Sequence, residues 1–313
     1  LAAHGWNSKL SNPLEDSEVN DTIESILKTH ERNHPGALEA ANQTRSDDVE
    51  LLDIQQEEDT CTIPEECFHP GGLMGRFMDH MAASSPVSNP TYNLAGAIAL
   101  MGTLAGQRVQ TETGLRTNVY CIAVGVSGTG KDTPQSALPG IIMRSRSQQI
   151  LGPNSISSDS AIVRHLSTNP RTVCFWDEIG LLLAAIKSPN SPRREIPSML
   201  MQLFSGTDRP YCKGYTDEKN TINVKWHHFS FYGASTPDRF WQSLSSGETS
   251  DGFLARCLIF ESNAEPMRPN TKVRRHIPQD LIAEVSEFDL MRVDTEPGNL
   301  NDIPVPLVIE KTQ

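Results

Sequence analysis

The sequence predicts an α/β protein of the P-loop nucleotidase type, with a central, mostly parallel sheet of five strands, preceded by a small helical segment. Three observations favour this fold. Residues 118–125 form an apolar, β-branched run of strand length, a glycine-rich loop and a helical pattern follow it, and a second apolar run, residues 171–176, ends in adjacent carboxylates. Continuous apolar runs of this length are typical of buried parallel strands.

The 313 residues divide into four predicted segments. Residues 1–32 are expected to be helical, because Asp16 or Ser17 can cap a helix whose apolar residues form one stripe. Residues 33–67 are acidic, rich in Gln and contain proline, which predicts a flexible linker. The α/β domain is expected over residues 68–290, and a C-terminal tail over 291–313.

Two helices are expected to open the α/β domain. The stretch GGLMGRFMDHMAAS and the Ala- and Leu-rich residues 92–106 both have helical periodicity. The second stretch is also the most apolar candidate for a membrane span, but it is too short and contains glycines. We therefore expect no membrane segment.

The loop GVSGTGK, residues 125–131, predicts a binding site for the phosphates of ATP. Gly125 is followed after four residues by Gly130 and Lys131, which is the spacing of a P-loop. Glycines let successive backbone N–H groups face the phosphates, and the start of the next helix adds partial positive charge. The predicted ATP-binding residues are Gly125, Ser127, Gly128, Thr129, Gly130, Lys131, Asp132 and Thr133.

Asp132 departs from the usual motif, which has a serine or threonine hydroxyl at this position to ligate Mg²⁺. A carboxylate here adds negative charge beside the phosphates, so it must face the cation or the water shell of the cation. Thr133 is the alternative ligand, through a shift of one residue. The sequence leaves both possibilities open.

The run RTVCFWDEIG predicts a second strand that ends in Asp177 and Glu178. Asp177 is expected to hold Mg²⁺ through water, and Glu178 to orient and deprotonate the attacking water. Adjacent acidic residues also end strands in α/β proteins without such a role, but their position after a P-loop strand makes the assignment more specific.

Further strands supply the remaining site residues. The run HHFSFYGAST ends in Ser235 and Thr236, which are expected to contact the terminal phosphate at the carboxyl end of the sheet. Arg256 begins the strand RCLIF and is either a structural arginine or one that reaches the nucleotide of a neighbouring subunit. A short strand near QQILG completes the five.

A predicted hairpin, residues 209–216 paired with 221–229, is the candidate DNA-binding surface. It combines aromatic side chains with positive charge, as tracking of a single strand requires. Its predicted DNA-binding residues are Lys213, Lys219, Lys225 and His227. The alternative is an ordinary solvated hairpin whose aromatic residues pack inward.

The overall charge restricts where nucleic acid can bind. The formal net charge is −12, which is the opposite of a basic nucleic-acid module, so DNA would have to meet a local positive patch. The cysteines are scattered, and those within apolar runs indicate a reducing compartment, for which we expect the cytoplasm.

The order of these motifs resembles a phage and prophage family of P-loop ATPases that is similar to superfamily 3 replicative helicases. The resemblance covers residues 68–262, from GGLMGRFMDHMAASSP through GVSGTGKD, CFWDEIG and FYGASTPDRF to DGFLARCLIF. It implies an AAA+ type ATPase that assembles as a hexameric ring. The opening residues are similar to the helical module that ends the primase part of primase-helicase fusions.

By this resemblance, Lys131 and Asp132 belong to the Walker A motif, and Asp177 and Glu178 to Walker B. It also assigns Ser235 or Thr236 to sensor 1, although such helicases usually carry Asn there, and Arg256 to the arginine finger. The predicted function is an ATP-dependent helicase or translocase on single-stranded DNA in phage or prophage replication, located in the cytoplasm of a bacterium or a phage-infected cell. The alternatives are an ATPase that remodels a protein partner and a nucleotide-binding assembly module without turnover.

Overall fold

The computed structural model describes residues 15–20, 63–186, 191–205, 209–214, 221–244, 252–266, 269–290 and 307–309. The chain divides into two units, residues 1–62 and 63–313. In the first unit residues 16–20 are helical. Residues 1–14 and 21–32 of the predicted helical segment lie outside the described residues, as do residues 33–62 of the predicted linker. Residues 63–67 belong to the second unit, where Ile63 packs against the core.

The second unit contains helices and strands in alternation. Its described α-helices are α1 (Gly72–Ser84), α2 (Pro90–Ala105), α3 (Thr133–Arg144), α4 (Asp159–Thr168), α5 (Ile179–Ile186), α6 (Ile196–Ser205), α7 (Pro237–Leu244) and α8 (Gln279–Leu290). Its described strands are β1 (Val109–Thr111), β2 (Tyr120–Val124), β3 (Arg171–Trp176), β4 (Tyr211–Lys213), β5 (Ile222–Val224), β6 (His228–Ser235), β7 (Cys257–Glu261) and β8 (Leu307–Ile309). None of the helices within these ranges is long and apolar enough to cross a membrane.

The central sheet has four strands in the order β3-β6-β2-β7, and all of its pairs are parallel. This confirms the predicted α/β class and the parallel pairing. Every residue of β2 and β6 is buried. Strands that lie inside a sheet with helices on both faces must be apolar throughout, which explains why these runs do not alternate.

The predicted fifth strand, near QQILG, is not formed by the described residues. Residues Gln148–Ile150 are a 3₁₀ helix, and Leu151 then makes a single parallel bridge to Val173 on β3. The Gly152 N–H still donates to the Val173 carbonyl at 2.9 Å. The pairing ends there, and the Pro153 carbonyl instead accepts a hydrogen bond of 3.1 Å from the Trp176 indole N–H.

Two hydrophobic clusters cover the two faces of the sheet. Alternate residues of β2 divide between them: Cys121 and Ala123 pack with α1, α2, α3 and α8, whereas Tyr120 and Ile122 pack with α4 and α6. This period of two is the pleat of the strand. The sheet is therefore the middle layer of three, and its carboxyl edge is left for loops.

Two short pairs lie outside the central sheet. Strands β4 and β5 pair in antiparallel fashion, with Cys212 opposite Asn223, as the predicted hairpin requires. Strand β8 pairs with β1 in parallel, so residues 307–309 of the predicted C-terminal tail are part of the folded unit. Residues 291–306 and 310–313 of that tail lie outside the described residues.

Candidate functional site

The candidate site lies at the carboxyl end of β2, between β6 and β7. The chain runs from β2 to β3, which lies two positions away on one side, and later reaches β7 on the other side. The connections from two neighbouring strands, β2 to β3 and β6 to β7, thus run in opposite directions, which opens a crevice at the carboxyl ends of β2 and β6, where α/β proteins bind ligands. Residues 125–131, called the glycine loop below, occupy this position.

The glycine loop is anchored to its surroundings at its start. The Gly125 N–H donates to the Ser235 carbonyl at 3.1 Å, and the Tyr92 hydroxyl donates to the Val124 carbonyl at 2.9 Å. Within the loop, Gly128 has φ of 83° and Gly130 has φ of 87°. Only glycine adopts this conformation without strain, so the local sequence determines the course of the loop.

Several backbone N–H groups of the loop lack an acceptor among the described residues: those of Ser127, Gly128, Gly130, Lys131 and Asp132. Helix α3 follows directly, and its N-cap residue, Asp132, makes no side-chain capping hydrogen bond. Free donors at a helix N-terminus, together with the helix dipole, attract anions. The arrangement can therefore bind phosphate oxygens.

Lys131 is nearly buried at the end of this loop. Its side chain is 6% exposed, and the ion pair found for it in the described structure is with Asp132, at 3.8 Å between Nζ and Oδ1. Its backbone carbonyl accepts a hydrogen bond of 2.6 Å from the Tyr232 hydroxyl, which fixes the main chain. A buried ammonium group with a single distant partner is costly unless an anion joins it.

The two magnesium ligands considered from the sequence differ in their surroundings. The Thr133 hydroxyl donates to the Val87 carbonyl at 2.7 Å and lies 2.9 Å from the Ser85 hydroxyl, and the residue is 2% exposed. Its hydroxyl is thus occupied by residues of the α1–α2 connection. By contrast, the Asp132 side chain is 58% exposed, so it is the available oxygen ligand of the two.

Gln135 brings the two predicted metal-binding carboxylates together. Its Nε2 atom lies 3.3 Å from Asp132 Oδ1 and 3.5 Å from Asp177 Oδ1, and its Oε1 atom is buried without a partner. Mg²⁺ prefers oxygen ligands and is often held by one or two carboxylates with waters and phosphates, so this donor set fits Mg²⁺. No group of three His, Cys, Asp or Glu suited to a metal occurs within the described residues.

Glu178 follows Asp177 at the end of β3 and has an unusual backbone. Its φ is 50°, in the left-handed region that residues other than Gly, Asn and Asp rarely adopt. Its Oε2 atom lies 3.2 Å from Arg239 Nη1, although the alignment is not that of a hydrogen bond. Strained backbone is often found at functional positions, where the surrounding structure holds it.

Ser235 ends β6 beside the loop and Thr236 follows it. The Ser235 side chain is buried, and its hydroxyl lies 3.3 Å from the Thr236 carbonyl. A β-carbon built on Gly180 would lie 2.6 Å from that hydroxyl, so Ser235 also faces the start of α5. The structure therefore brings the predicted sensor position Ser235, the glycine loop and the start of α5 after Glu178 to one edge of the sheet.

Arg256 lies at the other edge of the sheet. It directly precedes β7, which pairs in parallel with β2, so about 16 Å of strand separates it from the loop of its own chain. Its guanidinium donates to the Gly252 carbonyl at 2.7 Å and to the Ser205 hydroxyl at 3.2 Å. It does not join the other predicted site residues within one chain.

The hairpin residues predicted to bind DNA are not equally accessible. Lys213 forms an ion pair with Asp159, at the start of α4, and its side chain is 20% exposed. His227 is 2% exposed and its ring lies against Tyr211. Lys225 is exposed, and Lys219 lies outside the described residues. Of the predicted DNA-binding residues that the structure describes, Lys225 is thus the exposed one.

Sequence reasoning missed Gln135 and Arg239. Both are in the first turn of a helix that directly follows a site segment, the glycine loop for Gln135 and the β6 end for Arg239. The available signal was this placement, because the first turn after a parallel strand points toward the carboxyl edge of the sheet.

Comparison with known proteins assigns no family to this chain, since neither a scan of family models nor a search of curated proteins finds a match. The resemblance to phage ATPases remains a prediction from the motifs. The chemistry proposed below therefore rests on the geometry of the site.

Proposed function

We propose that this chain is an ATPase of the AAA+ type, and that the glycine loop binds the triphosphate. The observation that supports it best is the nearly buried Lys131 beside a row of backbone N–H groups that have no acceptor among the described residues. A triphosphate would supply both the missing anion and the missing acceptors. Asp132, with its exposed carboxylate, would face the cation rather than the phosphates.

The proposed reaction is hydrolysis at the terminal phosphate. Glu178 accepts a proton from water as the water oxygen bonds to phosphorus, and the bond from phosphorus to the bridging oxygen breaks. Lys131 and the loop N–H groups stabilise the charge that develops on the phosphate oxygens. Asp132, Asp177 and Gln135 would hold Mg²⁺, which when bound neutralises phosphate charge.

For the output of hydrolysis we propose movement along single-stranded DNA by a ring of identical subunits. Arg256 is too far from the glycine loop of its own chain to act there, so as an arginine finger it would complete the site of a neighbour in a ring. The edge strand β7 also exposes Leu258 and Ile259, which a neighbouring subunit would cover. The exposed Lys225 on the hairpin supports the DNA contact.

One observation favours a second output, namely action on a protein partner. Leu181 on α5 is 53% exposed and Trp241 on α7 is 47% exposed, and these two helices pack against each other beside Glu178. Exposed apolar side chains of this size are typical of protein interfaces. In this alternative hydrolysis would not depend on DNA.

The deciding experiment measures ATP turnover with and without single-stranded DNA over a range of protein concentrations. Lys131→Ala should abolish nucleotide binding, and Glu178→Gln should bind ATP but turn it over at least about a hundredfold more slowly. Lys272→Ala, at an exposed position, is the control for loss of a surface lysine. Stimulation by DNA favours the translocase, and turnover indifferent to DNA favours the protein partner.

Two results would reject parts of this proposal. Unchanged binding in Lys131→Ala would remove the phosphate assignment of the glycine loop. Binding without any turnover in the unaltered chain would make it a nucleotide-dependent assembly module, and would indicate that Asp132 prevents productive metal binding. For Arg256→Ala, recovery of activity on mixing with Lys131→Ala would support a shared site.

A further inference from the structure

Arg239 is a cation at the candidate site to which the proposed hydrolysis gives no role. Its Nη1 atom lies 3.2 Å from Glu178 Oε2, and its side chain is 53% exposed. Glu178 Oε2 is itself buried and has no hydrogen bond of good geometry in the described structure. One carboxylate oxygen of the proposed general base therefore faces a guanidinium group.

The pair lies close to where a terminal phosphate would bind. Arg239 is in the first turn of α7, four residues after Ser235, whose carbonyl accepts the hydrogen bond from the first residue of the glycine loop. Helix α7 thus begins at the same edge of the sheet as the loop. A half-exposed guanidinium at this edge can turn toward an anion in the crevice.

The backbone on both sides of the pair is held in place. A β-carbon on Gly180 would lie 3.2 Å from Arg239 Cβ and 2.6 Å from the Ser235 hydroxyl, so α5 and α7 approach as closely as a glycine allows. The left-handed φ of Glu178, 50°, also fixes the direction in which its side chain leaves the chain. Only the side chains, and chiefly the long Arg239 side chain, are free to rearrange.

We propose that Arg239 distinguishes ATP from ADP by exchanging Glu178 for the terminal phosphate. Without a third phosphate, Arg239 stays on Glu178 and occupies the base. The terminal phosphate carries more negative charge and more acceptor oxygens than one carboxylate, so it draws the guanidinium away and leaves Glu178 to bind water. This inference rests on the proposed ATPase function.

The exchange links substrate recognition to catalysis through one side chain. Glu178 is released only when the phosphate to be cleaved is present, and the ion pair forms again once that phosphate has left. Arg239 is then a residue that contacts substrate in the ATP state and positions the base in the ADP state. Its removal should affect binding of a triphosphate but not of a diphosphate.

The test compares the affinities for two probes, each with Mg²⁺: ADP and the non-hydrolysable ATP analogue with an imido bridge. They are measured by calorimetry on the full chain, on Arg239→Gln and on Arg239→Lys. Arg239→Gln should bind the analogue about ten- to a hundredfold more weakly, as for the loss of a hydrogen bond between charged groups, and bind ADP within about twofold of the unaltered chain. Arg239→Lys, which keeps the charge but not the planar fork, should lie between.

Two further variants make the result specific. Arg164→Gln removes an exposed arginine from α4 and should leave both affinities unchanged. Glu178→Gln removes the competing carboxylate and should tighten binding of the analogue, but not of ADP, by about three- to tenfold, and Arg239→Gln in the same chain should cancel this gain. A merely structural Arg239 would not produce this coupling.

The outcomes separate this inference from the proposed function. Equal weakening of both nucleotides in Arg239→Gln, with a lowered melting temperature, would make Arg239 a structural residue and overturn the inference alone. Unchanged affinity for both nucleotides would also overturn it, because Arg239 would then never leave Glu178. Failure of the unaltered chain to bind ADP at all would overturn the proposed function, and this inference with it.

Discussion

Replacing Gly130 with alanine should damage the glycine loop through two separable effects. The first is conformational: Gly130 has φ of 87°, and an L-residue in the left-handed region costs about 1–2 kcal/mol. The second is steric, because the added β-carbon would lie 3.0 Å from the Val87 carbonyl oxygen and 3.1 Å from the Asn89 nitrogen. Both neighbours are backbone atoms and cannot rotate away, so crowding should add about 1–3 kcal/mol.

Two glycines with nearly the same backbone serve as controls. Gly114 has φ of 80° and nothing within 4 Å of its added β-carbon, so Gly114→Ala should show the conformational cost alone, about 1–2 kcal/mol. Gly128 has φ of 83° and only an ordinary contact of 3.5 Å with Pro266, so Gly128→Ala should destabilise by a similar amount. The loss of folding stability in Gly130→Ala should exceed the loss in both control variants and total about 2–5 kcal/mol.

The assay is urea unfolding of the three variants, with ADP affinity measured alongside. We expect Gly114→Ala to bind ADP normally, and Gly130→Ala to bind at least about tenfold more weakly, because its N–H group is displaced from the phosphates. If Gly130→Ala loses no more stability than Gly114→Ala, then the chain at residues 87–89 yields to the methyl group. This result would refute the inference that the backbone at residues 87–89 cannot move away from the added methyl group.

Three further predictions concern charge. Burial acts to raise the pKa of Asp289, but the charge of Arg171 and hydrogen bonds lower that pKa below its usual value. The stability that the Asp289–Arg171 ion pair contributes should therefore be present at neutral pH and be lost below about pH 4. Asp289→Asn should cost about 3–5 kcal/mol in urea unfolding at pH 7 and remove that acid transition. Burial lowers the pKa of His228 to about 3, so below about pH 6.5 this histidine is protonated in the unfolded chain but not in the folded one. The free energy of unfolding should therefore fall by up to about 1.4 kcal/mol per pH unit as the pH drops below about 6.5. A His228→Gln chain that loses stability with pH as steeply as the unaltered chain would contradict this. Lys225→Ala should weaken single-stranded DNA binding and reduce its salt dependence by about one phosphate contact in anisotropy titrations, whereas Lys213→Ala should chiefly lower stability because it leaves Asp159 unpaired.

Much of the fold could be predicted from the sequence because it depends on local patterns. The apolar run before Gly125 predicted β2 within two residues of its observed start, and the run before Asp177 predicted β3. The fifth strand was overpredicted. Residues near Leu151 have the composition of a strand, but Gln148–Ile150 form a 3₁₀ helix, so Leu151 makes only a single bridge to β3.

In the candidate site, too, some features could be predicted from local sequence and others could not. The positions of Gly130 and Lys131 followed from spacing alone, and the positive φ of Gly130 is a property that only its residue type allows. The sequence could not decide between Asp132 and Thr133 as the metal ligand. We propose Asp132 because the Thr133 hydroxyl donates to the Val87 carbonyl, which lies 46 residues away along the chain.

The sequence by itself determined the order along the chain of the four strands of the central sheet, the glycine loop and the carboxylates after β3, since each is encoded by neighbouring residues. Tertiary structure alone decided that β6 lies between β2 and β3, that Arg239 faces Glu178, and that His227 is buried. These features join residues far apart in the chain, and they depend on sheet register and helix packing. The physical reason is that such contacts form only when the burial of both faces of the sheet has selected one arrangement of the layers.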